Sequence, residues 1–194
     1  MSLKERVYSV LLVSASESFN SAIGALLSDS IYDHVKVVSN IAAGKRACAE
    51  RAFDFIIINS PLPDDVGARF AIDMCNATSS SVLLMVRGEL YAEIYDRVAE
   101  HGVFVLAKPT SKPTVTTALT FLMSARERLR KTEKKTLSIE EKMEEIRIVN
   151  KAKWMLIDRE HMTEEESHRY IEKSAMDMCV SKRTIAEKII KNYS

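Results

Sequence analysis

Five short apolar runs, VYSVLLVS (7–14), HVKVVS (34–39), FDFIIIN (53–59), SVLLMV (81–86) and VFVLA (103–107), recur up to Pro109, and none follows Lys112. Each is rich in Val, Ile and Leu and only five to eight residues long, as strands covered on both faces are. Between them, segments 18–29, 41–51, 66–77 and 89–101 carry apolar residues at three- and four-residue spacing, the period of helices packed on one face. A strand followed by a helix five times over predicts an α/β fold, a (βα)5 doubly wound parallel sheet. Ligands of open parallel sheets bind at the carboxyl ends of the strands, where Ser14, Asn59, Arg87 and Lys108 fall.

Beyond Lys112 the chain holds no strand-like run and no glycine, so it reads as helical throughout. Leu122, Ala125, Leu129, Thr132, Thr136, Ile139, Met143, Ile146 and Asn150 follow alternating steps of three and four, the seam of a two-stranded coiled coil. The apolar members Leu122, Ala125, Leu129, Ile139, Met143 and Ile146 are the dimerisation candidates. Against an unbroken coil, Ser138 with Glu141 reads as a capping box that starts a new helix near Leu137. Thr163 with Glu166 is a second box, opening a helix to about Met176, and Ser181 opens a last one from Lys182 to Lys191. This gives a domain at 1–125, a helical connector at 126–138 and a three-helix domain at 139–194.

Charge divides along the same line. Residues 1–110 carry a net −3 and residues 111–194 a net +4, a balance that permits a polyanionic partner in the second half without requiring one. No apolar run approaches the roughly 18–20 residues of a membrane span, and MSLKERVYSV holds no secretory apolar core, so a cytoplasmic protein with no membrane partner is expected. Cys48, Cys75 and Cys179 lie far apart in amphipathic stretches, which favours three buried thiols over disulfides or a metal knuckle. His34, His101, His161 and His168 lack ligand spacing, GKRACAE (44–50) lacks the rest of a phosphate loop, and no nucleophile elbow occurs. No enzyme, metal site or cofactor is expected.

Residues 5–125 resemble the receiver domain of bacterial response regulators, through IIINSPLPDDVG (56–67) and the LAKP (106–109) that follows the fifth strand. The resemblance implies a flavodoxin-like fold and places Lys108 at the family's lysine. It also makes Asn59 the occupant of the acceptor aspartate position, Ser14 and Ala15 the occupants of the paired acids that bind Mg²⁺, and Arg87 the occupant of the switch Ser/Thr position. Phosphoryl transfer to a carboxylate requires the nucleophile and a hard cation held by oxygen ligands, and Ser14, Ala15 and Asn59 supply no carboxylate. A pseudo-receiver that takes no phosphoryl group is expected, with Asp64 and Asp65 as solvated turn acids.

Residues 139–194 are similar to the ANTAR domain, an RNA-binding antitermination module, through RIVNKAKWMLI (147–157), TEEESHRYIEKSAMD (163–177) and SKRTIAEKII (181–190). Trp154 stands where the family has Gly, Ile157 where it has Met, and Ser167 where Ala is usual. The residues themselves suit a nucleic-acid surface: Arg147, Lys151, Lys153, Lys182 and Arg183 as phosphate donors, Trp154 and Tyr170 as platforms for splayed bases. Core packing is the expected place for the two aromatics, and stacking the alternative. The architecture resembles that of antiterminators of the amidase-operon type, in which a degenerate receiver is governed by a protein partner. It implies a regulator that binds a hairpin in nascent mRNA, as a homodimer. Two rivals are a transcription factor reading DNA with residues 181–183 at a helix N-terminus, and an interaction scaffold without nucleic acid.

Overall fold

The computed structural model describes residues 7–27 and 31–193, and the chain divides into two compact units between Arg130 and Lys131. In the first, strands β1 (Tyr8–Val13), β2 (Tyr32–Val38), β3 (Phe55–Asn59), β4 (Ser81–Arg87) and β5 (Phe104–Lys108) form one sheet in the order β2-β1-β3-β4-β5. Every pairing is parallel. Helices α1 (Glu17–Leu26), α2 (Ile41–Glu50), α3 (Ala68–Ala77) and α4 (Tyr91–Val98) make the crossovers. This is the doubly wound parallel sheet that the alternating runs predict, in the flavodoxin-like order that the receiver resemblance implies.

Strand periodicity sorts the core into two layers. Leu11, Val13, Ile56, Ile58, Leu84 and Val86 bury one face against Ile41, Phe70, Ala71 and Ile94 of α2, α3 and α4. Tyr8, Val10, Leu12, Phe55, Ile57, Leu83 and Met85 bury the other against Ile23 of α1 and Val115, Leu119 and Leu122 of α5 (Lys112–Glu160). Leu122 therefore belongs to the core of its own unit, fully buried, and is not a seam residue. The expectation that all strands are covered fails at β2, where Asp33 to Val37 are exposed because β2 is the sheet's edge and its His34 adopts φ 55° at a bulge opposite Ser9 and Val10. Gly67 must be glycine. Its φ is 87°, and a Cβ there would meet Ile58 Cγ2 at 2.8 Å.

At the amino ends of the strands a polar cluster fixes α5. Asp54 accepts the Ser9 backbone N–H at 3.0 Å, Arg126 Nε at 3.0 Å and an Arg130 guanidinium nitrogen at 2.7 Å. Glu127, almost buried, accepts the Tyr8 hydroxyl at 3.1 Å and Arg130 at 3.0 Å, and the Arg130 guanidinium lies 5.2 Å from the centre of the Tyr8 ring. Burial pushes the Asp54 carboxyl up, but the hydrogen bonds from Ser9 and Arg126 and the charges of Arg130 and Arg126 outweigh it and leave it below the ordinary range.

In the second unit the C-terminal part of α5 packs with α6 (Glu164–Asp177) and α7 (Lys182–Tyr193) around Ala152, Leu156, Ile171, Ala175, Ile185, Ala186 and Ile189. Both expected starts hold: Thr163 and Glu166 cap each other's backbone N–H at 3.2 and 2.8 Å, and the Ser181 hydroxyl accepts the Thr184 N–H at 3.1 Å. Ser167 is fully buried and donates to the Glu164 carbonyl at 2.9 Å. Ser138 does not start a helix. It lies inside α5, which runs without interruption from Lys112 to Glu160 in residues with good helix propensity and no Gly.

Candidate strand-end pocket and nucleic-acid face

Parallel pairing brings the strand-end residues together. Asn59 closes β3 beside Met85, and Arg87 and Lys108 are partners across β4 and β5. Ser14, which follows β1, is 1% exposed and Asn59 is 7% exposed. Asn59 Nδ2 donates to Ser14 Oγ at 3.0 Å, and Lys108 Nζ donates to Asn59 Oδ1 and to the Ser60 carbonyl. Ser14 Oγ also accepts the Ser16 N–H at 3.2 Å, while Ala15 and Arg87 are exposed. The amide thus uses its donor and its acceptor within the pocket, and the lysine faces a neutral group. Burial first, and the Arg87 charge second, lower the Lys108 pKa below its ordinary value.

This donor set does not fit a divalent cation. Mg²⁺ takes carboxylate and water oxygens in an octahedron, and here the Ser14 hydroxyl, the Asn59 amide oxygen and the Ser60 carbonyl are already engaged by Asn59 and Lys108, and none is a carboxylate. The nearby acids are committed elsewhere. Asp64 accepts the N–H groups of Ile41 and Ala42 at 3.0 Å each, at the N-terminus of α2, and these hydrogen bonds hold its carboxyl below the usual range. Asp65 accepts the Gly67 N–H at 2.5 Å. Both are exposed, as a turn acid should be, but Asp64 is a helix clamp rather than a merely solvated group. An acid placed upstream of a Gly and a helix gave no local signal for this, because the N–H groups it meets lie 22 and 23 residues away.

In the second unit the aromatic expectation is overturned. Trp154 is 70% exposed and Tyr170 48% exposed, so neither is core. Trp154 stands seven residues after Arg147 and three after Lys151, which puts all three on one stripe of α5, turned away from the buried Ala152 and Leu156. Arg147 and Lys151 are exposed. Arg147 lies 3.6 Å from Glu144, and Lys153, half-buried, pairs with Glu164 at 3.1 Å. At the start of α7, Lys182 pairs with Glu172, and Arg183 with Glu187 at 2.8 Å. The pairs of Arg147, Lys182 and Arg183 are solvent-exposed, and ion pairs of this kind contribute little to stability. Lys151 makes no ion pair among the described residues. Tyr170, Arg169 and Lys173 border an open cavity of about 470 Å³ with His161 and Met162.

The dimerisation candidates do not form one set. Leu122 is core, Ala125 is half-buried, and Leu129, Ile139, Met143 and Ile146 are 41%, 57%, 65% and 60% exposed. The cysteines also part company: Cys48 and Cys75 are half-buried, whereas Cys179 is exposed in the α6–α7 turn at φ 52°, which corrects its expected burial. No helix among the described residues is long and apolar enough to cross a membrane.

Comparison with known proteins agrees with this division. Residues 138–190 match the ANTAR domain model. The fold of the first unit is similar to the signal receiver domain of an HD domain-containing protein from Pseudomonas fluorescens Pf-5, with TM-score 0.58 and 20% identity over 65% of this chain and 93% of that one. It is also similar to a response regulator receiver domain protein from Clostridium thermocellum, with TM-score 0.54 and 19% identity over 63% and 99%. A third neighbour, described as an adenylate cyclase from Rhodopirellula baltica, gives TM-score 0.58 and 17% identity over 66% and 96%. At these identities the likeness is one of fold. No curated protein matches the chain in sequence.

Proposed function

Residues 138–190 form an ANTAR domain, of the RNA-binding antitermination type, behind a receiver-like fold, and from that premise we propose that the chain is a transcription antitermination regulator that binds hairpin RNA in nascent transcripts. The observation that carries the reading is the exposed Trp154 on the same stripe of α5 as Arg147 and Lys151, within the matched segment. An indole left 70% in water is out of place in a core but suits a base splayed from a loop, with the cations on the flanking phosphates. Lys153, Tyr170, Lys182 and Arg183 complete the proposed surface. The protein would act by holding an RNA hairpin that competes with the terminator stem.

The receiver-like unit is regulatory rather than catalytic in this reading, and it takes no phosphoryl group at Asn59. Control then falls to a protein partner in the cytoplasm. Homodimerisation through α5 is supported by Ile139, Met143 and Ile146, exposed at steps of four and three.

A titration of the full chain with hairpin RNA and with duplex DNA of matched length tests the reading. Tighter binding to the hairpin is expected. Lys151→Ala should weaken all hairpins about equally and lower the salt slope by about 0.7–0.9. Trp154→Leu should cost about 1–3 kcal/mol of hairpin affinity with the salt slope and melting temperature unchanged. Preference for the duplex would instead favour a DNA reader, and equal, weak binding to both would leave a protein scaffold.

A further inference from the structure

We propose that the cavity between α1 and the start of α5 binds a small amphiphilic acid, a single carboxylate on a short apolar chain. The cavity lies wholly in the first unit and encloses about 280 Å³, close to the lower end of small-molecule sites at about 300 Å³, so its ligand is small. Its walls come from α1, the end of β4, the turn after β5 and the first turn of α5.

Two properties of the lining define the ligand. The first is an apolar interior. Ile23, Met85 and Val115, each 5% exposed or less, belong to the core layer on this side of the sheet, and with Phe19 and Leu26 they border a space that they do not close. Hydrocarbon and a thioether offer water almost no hydrogen bonding, so water gains little by filling such a space, whereas an apolar chain gains dispersion contacts with every wall.

The second property is charge. Lys108 and Lys112 are the charged side chains of the lining, and no acid is among them. Lys108 already donates to the oxygens of Asn59 and Ser60, both neutral. Lys112 is exposed and makes no ion pair among the described residues, and the first turn of α5 carries no acid that could answer it. Lys112 is therefore the cation open to a ligand, and one ammonium matches the single charge of a carboxylate better than the double charge of a phosphate.

A neutral apolar molecule would fill the interior and leave Lys112 unanswered. Acetate would answer Lys112 and leave the interior empty. A compound with both parts uses the whole lining. Lys108 also ties Asn59 to the Ser60 carbonyl, so an acid bound here lies against a residue of the strand-end pocket. The binding does not depend on the RNA reading, and its assay contains no nucleic acid.

The test is a titration of the isotope-labelled full chain with sodium hexanoate, followed through its backbone amide resonances, with hexanol and sodium acetate as controls. Saturable shifts of Ala22, Ile23, Thr110 and Val115 are expected with a Kd of about 1 mM, and both controls should bind at least about tenfold more weakly. Lys112→Gln should weaken hexanoate about fivefold and leave hexanol unchanged, a split that altered packing alone would not give. Ala22→Leu, which enlarges a side chain of the lining at an exposed helix position, should weaken hexanoate and hexanol alike by about tenfold without lowering the melting temperature. No saturable shift of these amides by about 10 mM hexanoate overturns the site. So does hexanoate affinity unchanged in both variants, or either control binding as tightly as hexanoate.

Discussion

The two ends of the parallel sheet handle charge in opposite ways. At the carboxyl ends, Asn59 and Ser14 form a neutral pair and Lys108 lies beside Arg87 without a counter-ion in contact among the described residues. At the amino ends, Asp54 sits between Arg126 and Arg130, and Glu127 between Arg130 and Tyr8. A cation facing an amide has no electrostatic partner whose charge would change on modification, whereas the amino-end cluster links Ser9 and Asp54 directly to α5. In this unit buried ion pairs seat α5, the helix that continues into the second unit.

The largest effect that tests this contrast is expected from Asp54→Asn. The change leaves two guanidinium groups, 13% and 26% exposed, facing an amide, and breaking a mostly buried pair in this way costs about 2–4 kcal/mol. Lys108→Met at the other end should cost less, about 1–2 kcal/mol, because the lysine loses two hydrogen bonds to buried oxygens but no anion. Urea unfolding of the two variants beside the natural chain measures both. Equal losses would erase the distinction between the ends.

A smaller, sharper signature lies in pH. The Asp54 carboxyl is lowered in the folded chain, so the unfolded chain takes up its proton first, near the ordinary value of about 3.9. Its contribution to stability is therefore complete above that value and is lost as pH falls through the folded one. The gap between the natural chain and Asp54→Asn should be constant from about pH 5 to 7 and close on acidification below about pH 4. A gap that persists at pH 2 would place the effect of the substitution in packing, not in charge.

Much of the receiver-like unit was legible because parallel strands and their crossover helices announce themselves locally: five Val/Ile/Leu runs, four amphipathic spacers and a Gly67 that only glycine can fill. The amino-end cluster was less so. Asp54 is an acid inside the apolar run FDFIIIN, which marks it as paired, but its partners lie 72 and 76 residues on, and long-range pairing leaves no periodic trace. Exposure is likewise set by the register of other residues. Trp154 is apolar and the expected place for it was the core, yet its position is set by the register of Ala152 and Leu156, which take the buried face and turn residue 154 outward. Leu122 is the converse, a seam residue by spacing that the sheet of its own unit claims. The continuity of α5 through Ser138 shows a capping box overridden by a helix already in progress on both sides.

The smallest effect belongs to the pocket itself and comes from Asn59→Asp. The substitution puts a carboxylate against Lys108 Nζ in a site where the amide is 7% exposed, so desolvation and attraction nearly offset and stability should move by less than about 1 kcal/mol at pH 7. The lysine titration is the sensitive reporter. Lys108 is lowered by burial and by Arg87 with no opposing charge in contact; a carboxylate there favours the ammonium and should raise its pKa, visible in the pH dependence of the Lys108 side-chain resonances. No phosphoryl group should be taken up from a small phosphodonor with Mg²⁺, because Ser14 and Ala15 still give the cation no carboxylate and Asp64 stays on the N-terminus of α2. An unchanged lysine titration would mean that the new carboxylate points away from Lys108. A gain of one phosphate in mass, mapped to residue 59, would show that a single acid is enough to hold the metal and would return chemistry to the carboxyl end.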